Sequence, residues 1–245
     1  MVETQGCNFY WPIRPSIANS RVKLIPFNPD IHASTFVEHA RDHPEMFAHM
    51  PLGPLESAAD LHALLARPDT ILSRANPNCF QFAVIDRAAP PSRDSPDGAL
   101  AGSISYIYTS APHLSSEIGF VAVLPPYQGK GVASSAVALL MQYGMAPPAR
   151  GGLGLRRLHW HTSTTNKASQ GLAAKMGFKT VGTIEWHFRF PKGKLKGKIG
   201  NGRPIPPDGD QDDLWRDTLV YSFGWDQWEN GARQKVTAMF GEAEF

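Results

Sequence analysis

Cysteine is nearly absent from this chain of 245 residues, which has only Cys7 and Cys79. Two cysteines cannot build a disulfide scaffold or, alone, a zinc site. They fit a reducing, cytoplasmic compartment in which both stay thiols. Long apolar runs are also missing. The most apolar stretch, Ala133 to Leu140, falls far short of the roughly 20 residues that cross a bilayer. Met1 to Tyr10 has neither the basic start nor the apolar run of a secretion signal. No charge sign dominates: 24 Lys and Arg face 22 Asp and Glu, a net charge of +2. That balance argues against a dedicated nucleic-acid binder and leaves room only for a local basic patch. What remains is globular composition, 42% hydrophobic and 19% charged, with enough chain to bury a core.

Strand and helix patterns alternate along the chain without a linker between two cores, and there are no repeats. We read an irregular arm over residues 1–20, with Trp11, Pro12 and Ile13 pinning it, and then a single α+β domain over 21–245 with a mixed sheet. Arg21 to Ile25 alternates as a strand. Asp30 caps a helix with Ile31, Phe36, Val37 and Ala40 on one face, ending near His43 before Pro44. Ser57 caps a second helix carrying Leu61, Leu64 and Leu65. Phe80 to Asp86 and Leu100 to Tyr108 form a hairpin with an extended loop. Glu117 to Leu124 is a strand, and about Ala133 to Tyr143 a helix. Arg157 to Thr162 is a strand, and Lys167 to Met176 a helix closed by Gly177. Thr180 to Phe190 and Thr218 to Phe223 are the last strands. The Gly- and Pro-rich stretch 191–213 is an insertion between them, and Asp226 to Phe240 a final helix.

The informative segment runs from Glu117 through Gln128-Gly129-Lys130-Gly131-Val132-Ala133: strand, glycine turn, helix. Such a turn gathers backbone N–H groups beside the positive end of a helix and suits an anion, usually phosphate. A P-loop needs GxxxxGK[ST], which this spacing does not supply. A dinucleotide fold needs GxGxxG and an acid about 20 residues on. Here Ser134 stands at the third glycine, and no Asp or Glu occurs from Ile118 to Ile184. A metal–nucleotide site without a carboxylate is disfavoured as well. Coenzyme A, with its pyrophosphate and 3′-phosphate, fits. The plainer alternative is a tight connection with no ligand.

At these residues the sequence resembles the GNAT superfamily of acyl-CoA-dependent N-acetyltransferases. Gln128-Gly129-Lys130-Gly131-Val132-Ala133 matches its Q/R-x-x-G-x-G/A motif. Asn166-Lys167-Ala168-Ser169 with Lys175-Met176-Gly177-Phe178 resembles the N-x-A-S…K-x-G-F signature of the RimJ/RimL-like branch. Glu117-Ile118-Gly119 is similar to the opening of that branch's fourth strand. His49 to Pro54 resembles its substrate-side loop, and Arg216-Asp217-Thr218…Tyr221-Ser222 its last strand. The resemblance covers most of Arg21 to Trp228.

The resemblance implies a mixed, mostly antiparallel sheet flanked by helices, with splayed central strands. It implies direct acetyl transfer from acetyl-CoA to a primary amine, either a small molecule or a protein N-terminus. Val121, Ala122 and Val123 would hold the pantetheine, one N–H polarising the thioester carbonyl. Gly129, Lys130, Gly131, Val132 and Ala133 would hold the pyrophosphate, with side-chain help from Gln128 and Lys130. Glu117 is the candidate general base, or else a carboxylate that pairs with a neighbouring cation. Ser169 is placed to protonate the leaving thiolate, or makes only a local backbone bond; Tyr127 and Tyr221 are alternatives. Asn166 binds the cofactor or shapes its turn. His159 and His161 face one side of a strand; with no cysteine or carboxylate expected nearby, a metal is not, and one of them is read as a packed histidine.

Two departures stand out. Glu117 to Gln128 is one residue longer than in many members of the branch, which fits a strand bulge and weakens the role of Glu117. The insertion begins basic (Lys192, Lys194, Lys196, Lys198, Arg203) and ends acidic (Asp208, Asp210, Asp212, Asp213). Its favoured reading is a solvated, partly disordered loop. Its basic part also keeps open an RNA- or ribosome-associated protein, and a CoA-binding sensor without turnover is a further alternative. Trp225, Trp228 and Phe240 are candidates for a homodimer interface. No membrane partner is expected.

Overall fold

The computed structural model describes residues 8–245, so Cys7 and the start of the arm lie outside the described residues. One sheet of eight strands organises the chain, in the order β1-β2-β3-β4-β5-β6-β8-β7. The strands are β1 (Ile17–Ala18), β2 (Val22–Pro26), β3 (Phe80–Asp86), β4 (Ala99–Ser110), β5 (Ser115–Val123), β6 (Arg157–Ser163), β7 (Lys179–Phe190) and β8 (Leu214–Gly224). All neighbours are antiparallel except β5 and β6.

The parallel pair is short. Ser115, Ser116 and Glu117 face Arg157, Leu158 and His159, and pairing stops there. Beyond Glu117 the two strands splay, as expected. On its other edge β5 carries a bulge. Ser103 pairs with Ala122 and Ser105 with Gly119, so three steps on β5 answer two on β4. Phe120 takes a left-handed φ of 48° there. A bulge is thus present between Glu117 and Gln128, where the spacing suggested one.

Helices cover both faces. α1 (Pro29–Ala40) and α2 (Ala58–Ala66) share a core with sheet residues such as Ala83, Ile85, Leu100 and Ile107. Asn28, not Asp30, caps α1, accepting from the Asp30 N–H, because Pro29 occupies the first helical position. Ser57 caps α2 through a full capping box with Asp60. On the opposite face α3 (Val132–Met145) is buried almost all round. It packs with Leu24, Tyr106, Ile118 and Leu158. α4 (Lys167–Lys175) follows β6 and ends before Gly177, whose φ of 85° closes it.

Several boundaries differ from expectation. The arm is not wholly irregular: Ile17–Ala18 pairs with β2, and Ile13 is buried. The final helix is broken. α5 (Trp225–Gln227) and α6 (Arg233–Phe240) flank a kink at Asn230 and Gly231, where Gly231 has φ 105°. Trp228 is buried against Phe223, so it is core rather than exposed surface. Trp225 remains half exposed, with Arg156 over its ring.

Residues 191–213 are not a loose loop. Their charges neutralise one another: Lys192 pairs with Asp210 and Asp212, and Arg189 at the end of β7 pairs with Asp213. Arg203 pairs with Glu185 and Asp217. Lys198 is buried, its Nζ donating to the carbonyls of Phe47 (2.9 Å) and Leu52 (2.6 Å). No described helix is long and apolar enough to cross a membrane.

Candidate active site

The splay between β5 and β6 opens a cleft of about 1180 Å³. Its walls come from the outer half of β5, the start of α3, β6, the start of α4 and the far ends of β7 and β8. Two halves can be distinguished by chemistry.

The first half is built by the glycine turn. Gly129 has φ 71° and Gly131 φ 80°, both in the left-handed region, where a side chain costs strain. A Cβ at either would meet no atom within 4 Å, so open space lies over the turn. Gly131 is the N-cap of α3 and no side chain caps it. The first amides of a helix have no partner within it, and here they are Val132, Ala133 and Ser134. Gly129, Gly131, Val132, Ala133 and Ser134 all line the cleft. These donors, at the positive end of a fourteen-residue helix with no acid in its first turn, fit a pyrophosphate. Gln128 also lines the cleft, but its Nε2 donates to the Val123 carbonyl at 2.9 Å and so ties the turn to β5. Lys130 is exposed and outside the lining set. Val121, Ala122 and Val123 line the middle of the cleft, at and beyond the bulge.

Ser169 and Asn166 sit where β6 turns into α4. The Asn166 side chain accepts from the Ser169 N–H at 3.1 Å, so it caps the helix. It still lines the cleft. Ser169 Oγ accepts from Trp160 Nε1 at 3.0 Å. A hydroxyl that accepts in this way keeps its own hydrogen to donate. Tyr127 lines the cleft, whereas Tyr221 is buried in the core and does not.

The second half is charged. Glu117, 4% exposed, ends the paired part of β5. Its Oε2 shares a short hydrogen bond with Nδ1 of His161 and lies 3.8 Å from Nδ1 of His159. Burial pushes the Glu117 carboxyl above its usual range, against the opposing pull of His161 and Arg216. Burial, with His161 and Arg157 nearby, lowers His159 to about 4. The expectation that no carboxylate lies near these histidines is overturned: the parallel register sets Glu117 beside His159. Candidate metal-binding atoms of Glu117, His159 and His161 all lie within 4.8 Å of one another. Divalent metals accept such donors, although the Arg216 cation beside them opposes one.

Arg216 was not anticipated as a site residue. It reaches the cleft from β8 and donates to the His49 carbonyl at 3.2 Å. His49 itself lines the cleft, as its place in the expected substrate-side loop implied. The only sequence signal for Arg216 was its position in the motif of the last strand.

A family model for the acetyltransferase (GNAT) domain matches residues 21–179. Over 85 residues the chain is 32% identical to the uncharacterized N-acetyltransferase YoaA of Bacillus subtilis, covering 35% of this chain and 45% of that protein. Over 103 residues it is 29% identical to the spermidine N(1)-acetyltransferase of Escherichia coli K12, covering 42% of this chain and 52% of that one. The aligned parts thus span about half the length of these curated relatives. A GCN5-related N-acetyltransferase from Brucella melitensis superposes with a TM-score of 0.70 at 22% identity, over 94% of this chain and 86% of that chain. Mycobacterium smegmatis RimJ, solved with CoA-disulfide, superposes with a TM-score of 0.65 at 17% identity, over 96% and 98%. These structures share the fold. The family match covers well over half of the chain and includes the glycine turn, the splayed strands and α4, and on that ground the chain belongs to the GNAT acetyltransferase family.

Proposed function

We propose that this protein moves an acetyl group directly from acetyl-CoA to a primary amine on a small molecule, in a reducing, cytoplasmic compartment. One observation carries the reading: a single cleft joins an anion-binding helix start to a buried carboxylate–imidazole pair across splayed strands. In this reading the amides of Gly129 to Ala133 hold the pyrophosphate, and Val121 to Val123 hold the pantetheine arm. Acetyl-CoA supplies an activated thioester with a good leaving group.

The chain's own residues then handle protons and charge. An acceptor ammonium has a pKa near 10 and must lose a proton before it attacks. Glu117, kept basic by burial and oriented by His161, takes that proton directly or through water. An N–H near the bulge stabilises charge on the carbonyl oxygen. Ser169, its hydroxyl hydrogen released by the bond from Trp160, donates to the departing sulfur.

The two other readings have less support. Of the insertion's basic residues Lys192 and Arg203 are spent on ion pairs and Lys198 is buried, which leaves only Lys194 and Lys196 exposed for the patch an RNA-associated role would use. A sensor without turnover has no use for the carboxylate–imidazole pair. A homodimer is not part of the proposal, because Trp228 faces the core.

The test is thiol release from acetyl-CoA in the presence of a panel of primary amines. Amine-dependent release that Glu117→Gln suppresses supports the reading. Acetyl-CoA binding with no release for any amine supports the sensor instead.

A further inference from the structure

Arg216 bears on the acceptor, and the argument rests on the acetyltransferase reading above. The residue stands on β8 opposite Phe188 of β7, its guanidinium 4.7 Å from the Phe188 ring centroid. It is only 8% exposed, yet it lines the cleft. Nε donates to Thr218 Oγ1 at 3.0 Å and Nη1 to the His49 carbonyl at 3.2 Å. Both acceptors are neutral. A guanidinium has five N–H donors, so three remain.

The nearby carboxylates are engaged elsewhere. Glu117 is paired with His161 and approached by His159. Asp217, the next residue on β8, accepts from the Trp186 N–H, Asn201 and Arg203. Among the described residues no carboxylate forms an ion pair with Arg216. Glu117 attracts the guanidinium only from beyond ion-pairing distance, and burying a cation without a directly paired counter-ion is costly. The buried side-chain atoms that lack any partner belong to Asn19, His32, Asn78 and Ser105. Nη2 of Arg216, which makes no hydrogen bond of its own, is not among these atoms, so it is open to the cleft that Arg216 lines rather than sealed in the core.

The surroundings tell the same story. His49, His161 and His187 line this half of the cleft with Arg216. Burial, with Arg216 close by, holds both His49 and His187 below the usual imidazole range. Among the described residues only two acids line the cleft, Glu117 and Glu45, and Glu45 is exposed and paired with His43. A polycation finds little here to neutralise it. An acceptor carboxylate finds a preset fork, and bidentate guanidinium–carboxylate contacts are among the strongest hydrogen bonds in proteins. Phe188 lies beside that fork, and Met46, Met50 and Ile71 add apolar wall to the same cleft.

We propose that Arg216 anchors a carboxylate of the acceptor, so that the preferred substrate is an amino-carboxylate with an apolar body rather than a polyamine or a simple amine. The carboxylate on Arg216 would hold the amine toward Glu117.

The experiment compares acetylation of the standard free amino acids with that of their decarboxylated amines, of amino-acid amides and of spermidine. The full-length wild type, Arg216→Gln and Arg216→Lys are used. Acetyl-CoA-dependent thermal stabilisation is measured on the same samples. The expected result is a kcat/KM at least tenfold higher for a leucine- or phenylalanine-type acid than for its decarboxylated partner. Arg216→Gln should raise KM for the acid at least tenfold and bring the two substrates level, with partial rescue by lysine. Equal or better turnover of the decarboxylated amines, the amides or spermidine by the wild type overturns the proposal. So does acetyl-CoA binding with no turnover of any amino acid, or an equal loss for both substrate types in Arg216→Gln. Absence of acetyl-CoA stabilisation in the wild type would instead remove the acetyltransferase reading itself.

Discussion

Glu117 of β5 and His161 of β6 share a short hydrogen bond across the point where the two central strands part. The carboxylate is buried and the imidazole is half-buried at the cleft wall. Glu117 therefore needs a proton partner, and the imidazole supplies one without closing the site. Glu117→Gln keeps the shape and removes the proposed base. It should lower kcat by about 100-fold or more, the usual scale for a lost general base, while leaving acetyl-CoA-induced stabilisation intact. Steady-state kinetics with saturating acetyl-CoA checks this.

The pH dependence has a defined direction. Burial raises the Glu117 carboxyl, and in the proposed role it works only when deprotonated. The rate should therefore climb with pH through a midpoint above the ordinary carboxylate range. A kcat/KM profile should show that acid limb in the wild type and lose it in Glu117→Gln.

His159 gives a separate signature in stability. Its folded-state value of about 4 lies below the model-peptide value of 6.5. Below pH 6.5 the unfolded chain takes up a proton that the folded chain refuses. The stability contributed by neutral His159 is thus complete above pH 6.5 and is lost as pH falls toward 4. The loss is on the order of 3 kcal/mol. Denaturant melts at pH 7 and pH 4.5 should differ less for His159→Gln than for the wild type.

Lys198 clamps two loops together. Its Nζ holds the carbonyls of Phe47 and Leu52, on either side of His49. Lys198→Ala leaves both carbonyls without that donor, at a cost of about 1–3 kcal/mol. It should raise KM for the acceptor amine while leaving acetyl-CoA-dependent stabilisation unchanged. Thermal melts and amine titrations measure the two effects independently.

Gly131 isolates the contribution of the turn. Gly131→Ala places a Cβ at φ 80° with no protein atom within 4 Å. The strain amounts to about 1–2 kcal/mol of stability. Any loss of acetyl-CoA affinity beyond that reports on the ligand that fills the space over the turn. A binding titration alongside a melt separates the two.

Much of this site was legible in the sequence because its parts are local. The glycine turn, the cap at Asn166 and the strand around Val121 are each set by neighbours in the chain, and periodicity with turn chemistry finds them. The spacing before Gln128 suggested a strand bulge, and β5 carries one at Phe120. Pairings across the sheet were not legible. Glu117 meets His161 only through the parallel register of β5 and β6, 44 residues apart. Arg216 meets His49 across 167 residues. The charge blocks of residues 191–213 read as a solvated loop because sequence does not show that Lys192 folds back onto Asp210 and Asp212. Nor does it show that Lys198 reaches back to the carbonyls of Phe47 and Leu52.

The most direct test of the account is a thermal-shift titration of the full chain with acetyl-CoA, CoA, NAD and ATP in parallel. A ligand specific to the folded state stabilises it by about 2.7 kcal/mol at a hundredfold excess over its Kd. Stabilisation by acetyl-CoA and CoA, with none from NAD or ATP, is the predicted result. Stabilisation by NAD or ATP alone, or by none of the four, would contradict the reading of the turn from Gln128 to Ala133.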